Sequence, residues 1–398
     1  VSLSIKDVTN NCITILKTTP LVRAGEGFSV PKDIPSSALI PQKDERIFLK
    51  LYVTERILNA GKLEITSVDL FTNYSGRIFE VEQTGVKQLV LVGFSNDFDF
   101  DPFSTSLPFL IYIPPSPQDN PEVHRKLYPK LYSKTKPNDI PFFYKDTSAY
   151  PYSWDWLYFQ FFVNMHRLSH QLKKANKPYV FVVPMIKSFS DGMGLLNSGA
   201  VLEQCLLGIQ KFYLDKKLKP GTDRSKGLDH VTFASFSIGN SILSNFILRN
   251  RQNSFFREKV KDFIILDPPP RNPKNRSPII NSIISIMRTD GKKTVLLYTQ
   301  DPYYIQPLIK AFLIPRGISF NLSKDKIFSD PKVKNVFFAY LEAPLFLKSI
   351  QDPILKNVHN TFPNLFINNA VSRGSLKFVP ADGKLRPILS FLSWVPTK

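Results

Sequence analysis

The hydrophobic pattern of the chain changes character near residue 100. Before that point, short runs rich in β-branched and aromatic residues recur at Cys12–Leu16, Ile47–Val53, Leu63–Leu70, Arg77–Val81 and Gln88–Phe94. Turn clusters such as Arg23–Gly27 and Asn73–Gly76 separate them. Strand-length runs punctuated in this way predict an antiparallel β module over residues 1–100. It forms either a small sandwich or strands that extend the sheet of the main domain.

From Leu107 onward the runs are continuous rather than alternating: Leu107–Ile113, Pro178–Met185, His230–Phe236, Val260–Leu266, Thr294–Tyr298 and Asn335–Leu341. A strand without polar alternation is buried on both faces. Helical periodicity fills the intervals, over Trp154–Ala175, Ser198–Leu214, Gly239–Arg249, Tyr304–Leu313 and Thr361–Val371. Apolar strands alternating with amphipathic helices predict an α/β fold, a mostly parallel sheet with helices on both faces, over residues 101–398. An aromatic-rich insertion falls around residues 115–155. Its neighbour, the aromatic-dense segment Phe142–Phe162, reads either as a lid or acyl-binding wall or as a buried packing stripe.

Composition narrows the options. The chain has 398 residues, of which 43% are hydrophobic, enough apolar material to exclude disorder over most of its length. Cys12 and Cys205 are its two cysteines, which excludes a disulfide framework and a thiolate metal cluster. No run approaches the roughly 18 apolar residues of a membrane span. The chain starts at Val1, which is compatible with removal of an initiator Met or of a targeting segment. No signal-peptide core lies in the first stretch. The compartment and the oligomeric state are not legible.

Charge adds a question about partners. Lys and Arg number 52 against 33 Asp and Glu, a formal net charge of +19. The basic residues are densest over Arg251–Lys293, including Arg257, Lys259, Lys261, Arg271, Lys274, Arg276, Arg288, Lys292 and Lys293. No nucleic-acid motif accompanies them. An anionic partner, either a membrane surface or nucleic acid, is one expectation, and a merely solvated surface is the other.

Candidate chemistry is sought where parallel strands end, since functional groups collect at their C-terminal ends. Ser235-Phe236-Ser237-Ile238-Gly239 follows a buried run and enters a helix with Ile238, Ile242, Phe246 and Ile247 on one face. A serine on such a tight turn is held clear of the sheet. Small residues two before and two after it, Ser235 and Gly239, permit the close backbone approach. Asp267 and Asp301 follow later strands, and His359 is the one histidine downstream of the turn. A structural reading competes: Ser237 as a helix N-cap and the two aspartates as turn residues before proline.

These residues resemble the α/β-hydrolase superfamily from about Leu107 to the C-terminus. The resemblance rests on the small-x-Ser-x-Gly elbow and the order serine, acid, histidine. It implies a catalytic triad of Ser237 as nucleophile, Asp301 as acid and His359 as base, with Asp267 as the alternative acid. The Ile238 amide would stabilise an oxyanion, with a second donor from the loop starting at Pro114, where Ser116 carries an N–H that Pro114, Pro115 and Pro117 lack. The implied activity is serine hydrolysis of an ester, thioester or amide, on a small-molecule or lipid acyl substrate and without a cofactor. A catalytically inactive relative is the other class: a basic binding or assembly protein of a nucleoprotein or virion particle or of a membrane-associated complex.

Other motifs are weaker. Asp97, Asp99 and Asp101 alternate as calcium ligands can, but lack the glycine turn and bidentate Glu of a calcium loop. His166 and His170 stand four apart without a third ligand. Asp191-Gly192-Met193-Gly194 lacks the lysine of a phosphate loop and reads as a turn.

Overall fold

The computed structural model describes residues 3–7, 74–83, 86–95, 106–114, 172, 179–184, 194–217, 227–269, 273–289, 292–319, 327–340, 362–363, 367 and 370–371. The expected strands Cys12–Leu16, Ile47–Val53 and Leu63–Leu70, the aspartates at 97–101, the segment Phe142–Phe162, His166 and His170 lie outside the described residues.

Ten strands form one sheet: β1 (Leu3–Asp7), β2 (Tyr74–Gln83), β3 (Val86–Ser95), β4 (Phe109–Ile113), β5 (Val180–Pro184), β6 (Val231–Phe236), β7 (Val260–Leu266), β8 (Thr294–Thr299), β9 (Ile327–Asp330) and β10 (Val333–Tyr340). Their spatial order is β1-β2-β3-β5-β4-β6-β7-β8-β10-β9. The run from β5 to β10 is parallel. Antiparallel pairs β1–β2, β2–β3 and β3–β5 flank it on one side, and β9–β10 on the other. The described N-terminal strands therefore extend the main sheet. One close approach fixes the β3–β5 seam: the Phe181 ring occupies the space a side chain would take at Gly93, 2.0 Å from where a Cβ would stand. Any larger residue at 93 displaces that ring.

Helices connect the parallel strands: α1 (Gly199–Lys217), α2 (Gly239–Asn250), α3 (Ser254–Glu258), α4 (Pro273–Met287) and α5 (Pro302–Leu308). A wider π turn, Ile309–Leu313, continues α5. The strand residues Phe109, Ile111, Phe233, Phe263, Ile265, Val295 and Leu297 pack in one apolar cluster with Leu206 of α1, Phe246 of α2, Phe256 of α3 and Ile283 of α4. The intervening residues Leu110, Tyr112, Phe181, Val183, Ile264, Leu266, Leu296 and Tyr298 are buried as well. The centre of the sheet is thus covered on both faces, as uninterrupted apolar runs require. Phe246 meets Phe233 and Phe256 with ring centroids 5.0 and 6.2 Å away. Truncating such a ring to Ala costs about 3–5 kcal/mol.

The edges depart from the sequence reading. β1, β9, α3 and α4 were not anticipated. β1 is a five-residue edge strand with alternating half-buried and exposed positions, and α4 carries Pro278 inside the helix, a residue that normally argues against one. No described helix is long and apolar enough to cross a membrane.

Candidate functional site

The chain leaves β6 through one sharp turn. Ser237 N–H still donates to Leu266 O of β7 at 3.1 Å, so the residue remains tied to the sheet. Its φ is +52°, left-handed backbone that costs a non-glycine residue on the order of 1–3 kcal/mol. Ile238 then stands as N-cap of α2 with no side-chain cap bond. The N-cap reading of Ser237 is therefore not realised, and its strain is not explained by capping. Gly239 is required by space: a Cβ there would lie 2.4 Å from Ile113 O and 2.8 Å from Pro114 O at the end of β4. Two amides of the first turn of α2 are occupied, Asn240 N–H by Ser237 O at 3.0 Å and Ser241 N–H by Ile238 O at 2.9 Å. The positive end of the helix dipole falls next to the serine, which directly precedes the N-cap.

Asn240, unnoticed in the sequence, anchors this turn. It is 2% exposed. Its Nδ2 donates to Ser237 O and to Leu266 O, each at 2.9 Å, and its Oδ1 accepts from the buried Ser235 hydroxyl. Asn240 backbone N–H also donates to Ser237 O at 3.0 Å.

The two aspartates differ in what they hold. Asp267 directly follows β7, is 1% exposed and also has positive φ, +34°. Its Oδ1 accepts from Gln300 N–H at 2.9 Å and from the Thr299 hydroxyl at 3.3 Å, and its Oδ2 accepts from Gln300 Nε2 at 2.6 Å. Asp301 follows β8 and caps α5, Oδ1 accepting from Tyr303 N–H at 2.9 Å. Among the described residues its buried Oδ2 has no hydrogen-bond partner. Thr299 joins the two, since its Oγ1 accepts from Asp301 N–H at 2.9 Å. β6 and β8 are two strand spacings apart, roughly 10 Å between their backbones. Ser237, Ile238, Asp267 and Asp301 accordingly gather at the C-terminal ends of adjacent strands. Ser116 and His359 lie outside the described residues.

The opposite ends of these strands hold a different polar set. Lys293, grouped by sequence with the exposed cations of Arg251–Lys293, is 3% exposed. Its Nζ donates to Phe256 O at 2.5 Å, Val260 O at 2.6 Å and Arg257 O at 3.3 Å and lies 4.7 Å from the Phe256 ring centre. Burial lowers its pKa to about 8, with Lys261 adding to the effect. Lys293 is thus withdrawn from any partner surface, whereas Arg251, Arg257, Arg288 and Lys292 are exposed. Thr232, Asp262 and Thr294 stand in register across β6, β7 and β8. Burial raises the Asp262 carboxyl above its ordinary pKa, against hydrogen bonds from Thr294 and Thr232 and the nearby His230. His230 itself contacts Asp229 at 2.9 Å and the Tyr179 hydroxyl at 3.3 Å. Among the described residues no group of three or more His, Cys, Asp or Glu is placed to hold a metal ion.

No protein-family model and no curated protein sequence matches the chain. In structure it is similar to an esterase from Pseudomonas putida, with 9% identity and a TM-score of 0.35 over 82% of this chain and 85% of that one. It is similar to an esterase from Pyrobaculum calidifontis, with 10% identity and a TM-score of 0.38 over 77% and 89%. A mutant of the feruloyl esterase module from Clostridium thermocellum gives 12% identity and a TM-score of 0.33 over 78% and 95%. The sheet itself defines the fold. A parallel core with the crossover β5-β4-β6, an antiparallel flank and a left-handed serine between its central strand and the following helix make a mostly parallel, α/β-hydrolase-like sheet.

Proposed function

We propose that the protein is a serine hydrolase acting on an ester, thioester or amide, with Ser237 as nucleophile. One observation carries the reading: a serine in left-handed backbone at the C-terminal end of the central strand, with Gly239 against Ile113 O. Strain of this kind persists where surrounding structure enforces it, and it collects at reactive sites.

In the proposed cycle, His359 accepts the Ser237 proton as Oγ forms a bond to the substrate carbonyl carbon. The carbonyl π electrons move to oxygen, and the Ile238 amide, with a second donor at Ser116, stabilises the oxyanion. Collapse expels the leaving group, which takes the proton from the imidazolium. Water then repeats the sequence on the acyl-enzyme and frees the acid. Asp301 is the favoured acid because its buried Oδ2 lacks a partner among the described residues and can accept from the imidazole N–H. Asp267 is the alternative, with its oxygens already accepting from Gln300 and Thr299. The test is labelling by a fluorophosphonate probe together with turnover of short p-nitrophenyl esters. The parent chain is expected to be labelled at Ser237 and to turn over ester. Absent labelling, or turnover unchanged by Ser237→Ala, overturns the reading.

A further inference from the structure

We infer that Asn240 is a positioning residue: its side-chain amide holds the Ser237 carbonyl and thereby keeps the serine in its left-handed turn. The inference deepens the proposed role of Ser237, yet its geometry stands without that role. The Ser237 carbonyl receives two donors from one residue, Asn240 N–H at 3.0 Å and Nδ2 at 2.9 Å. The second Nδ2 proton goes to Leu266 O at 2.9 Å, the same carbonyl that accepts from Ser237 N–H. Both sides of the serine's peptide frame are thus tied to one planar amide. The Ser235 hydroxyl, donating to Oδ1, fixes which way that amide faces.

A planar amide is the group this place requires. It supplies two donors and an acceptor in fixed directions, whereas a carboxylate supplies acceptors only and a hydroxyl has a single donor. Leu266 also directly precedes Asp267, the second non-glycine residue with positive φ among the described residues. Asn240 therefore bridges the turn that carries the serine and the turn that carries one of the aspartates. Ser237 directly precedes the N-cap of α2, so relaxation of its positive φ would change the direction in which its side chain leaves the positive end of the helix.

The experiment separates the clamp from the hydrolase reading. Ser237→Cys places a thiol on the turn, and its iodoacetamide alkylation rate, read by peptide mass spectrometry, depends on local geometry and not on a triad. With Asn240→Ala added, the rate at position 237 is expected to fall by about 5-fold or more as the thiolate loses the helix N-terminus. The buried Cys205 should remain protected. Asn240→Asp, isosteric but unable when ionised to donate to either carbonyl, should act in the same direction and serves where the alanine variant does not fold. Ser235→Ala, which removes the bond that sets the facing of the amide but leaves its two donors in place, should slow the rate less than Asn240→Ala does. In the Ser237 chain, the fluorophosphonate maximal inactivation rate should fall with its half-saturating concentration unchanged. An unchanged alkylation rate in both Asn240 variants, or faster alkylation at 237 and Cys205 together, overturns the clamp. Slowed alkylation in a chain that the fluorophosphonate never labels upholds the clamp and removes the hydrolase reading alone.

Discussion

The two ends of the parallel strands both bury polar groups, but they do so in opposite ways. At the N-terminal ends the Lys293 ammonium has three carbonyl acceptors, and Thr232 Oγ1 donates to Asp262 Oδ2 at 3.3 Å. No described non-glycine residue there has positive φ. At the C-terminal ends, among the described residues, two non-glycine residues have positive φ and one buried carboxylate oxygen has no partner. Buried polar groups that only support a fold are satisfied, because an unmet one costs about 1–3 kcal/mol. Strain and an open acceptor concentrated on one side mark the end where a reacting group is expected.

The contrast breaks most visibly at Ser237. Ser237→Ala should reduce ester turnover by a factor of about 10³ or more while the melting temperature holds or rises, since the hydroxyl is lost but no core is disturbed. Steady-state kinetics and calorimetry on the same preparation check both parts. Next come the acids. Asp301→Asn should lower kcat by roughly 10²–10⁴ and Asp267→Asn by less, with KM little changed. The reverse ranking would transfer the acid role to Asp267.

Stability effects test the other end. Lys293→Met removes the donor for three carbonyls and should cost about 2–4 kcal/mol, read from denaturant midpoints. The pH dependence has a defined sign. The folded pKa, about 8, lies below the unfolded value. Lys293 therefore contributes stability that grows as pH rises from about 8 toward the unfolded pKa and is lost as pH falls through 8. Lys293→Met should lack that rise. The smallest effect belongs to Asp262. Its raised folded pKa favours the protonated form, so its contribution is fully present below the unfolded pKa and lost as pH climbs past the folded one. Asp262→Asn should raise stability at pH 7, and that gain should shrink as pH falls into the ordinary carboxylate range. A stabilising Lys293→Met, or a destabilising Asp262→Asn at pH 7, would undo the contrast between the two ends.

The centre of the fold was legible because it is written in local pattern. Val260–Leu266 was bounded as it stands, and β4, β5, β6, β8 and β10 fall within a residue or two of their apolar runs. The elbow was legible because Ser237 and Gly239 meet a spacing rule whose cause, the approach of the β4 carbonyls, is short-range in kind. What escaped depends on partners distant in sequence. Asn240 lies one residue beyond the motif, and its value comes from Leu266. Gln300 matters through Asp267. Lys293 looks like any surface cation until α3 places Phe256 O and Arg257 O beside it. α4 was hidden by Pro278, which tertiary packing tolerates. The structure also adds a bond from α2, with the Ser244 hydroxyl donating to Pro278 O at 2.7 Å.

The antiparallel pair at the far edge has a consequence for protein engineering. β1 and β2 are adjacent in the sheet, with Asp7 opposite Phe79, although residues 8–73 separate them in sequence. Five residue steps along β2 separate Tyr74 from Phe79, roughly 17 Å of strand. The connection from Asp7 to Tyr74 therefore has to span at least that distance to hold the β1–β2 register. Lengthening it should raise the closure cost only logarithmically, far along the sheet from the turn that carries Ser237.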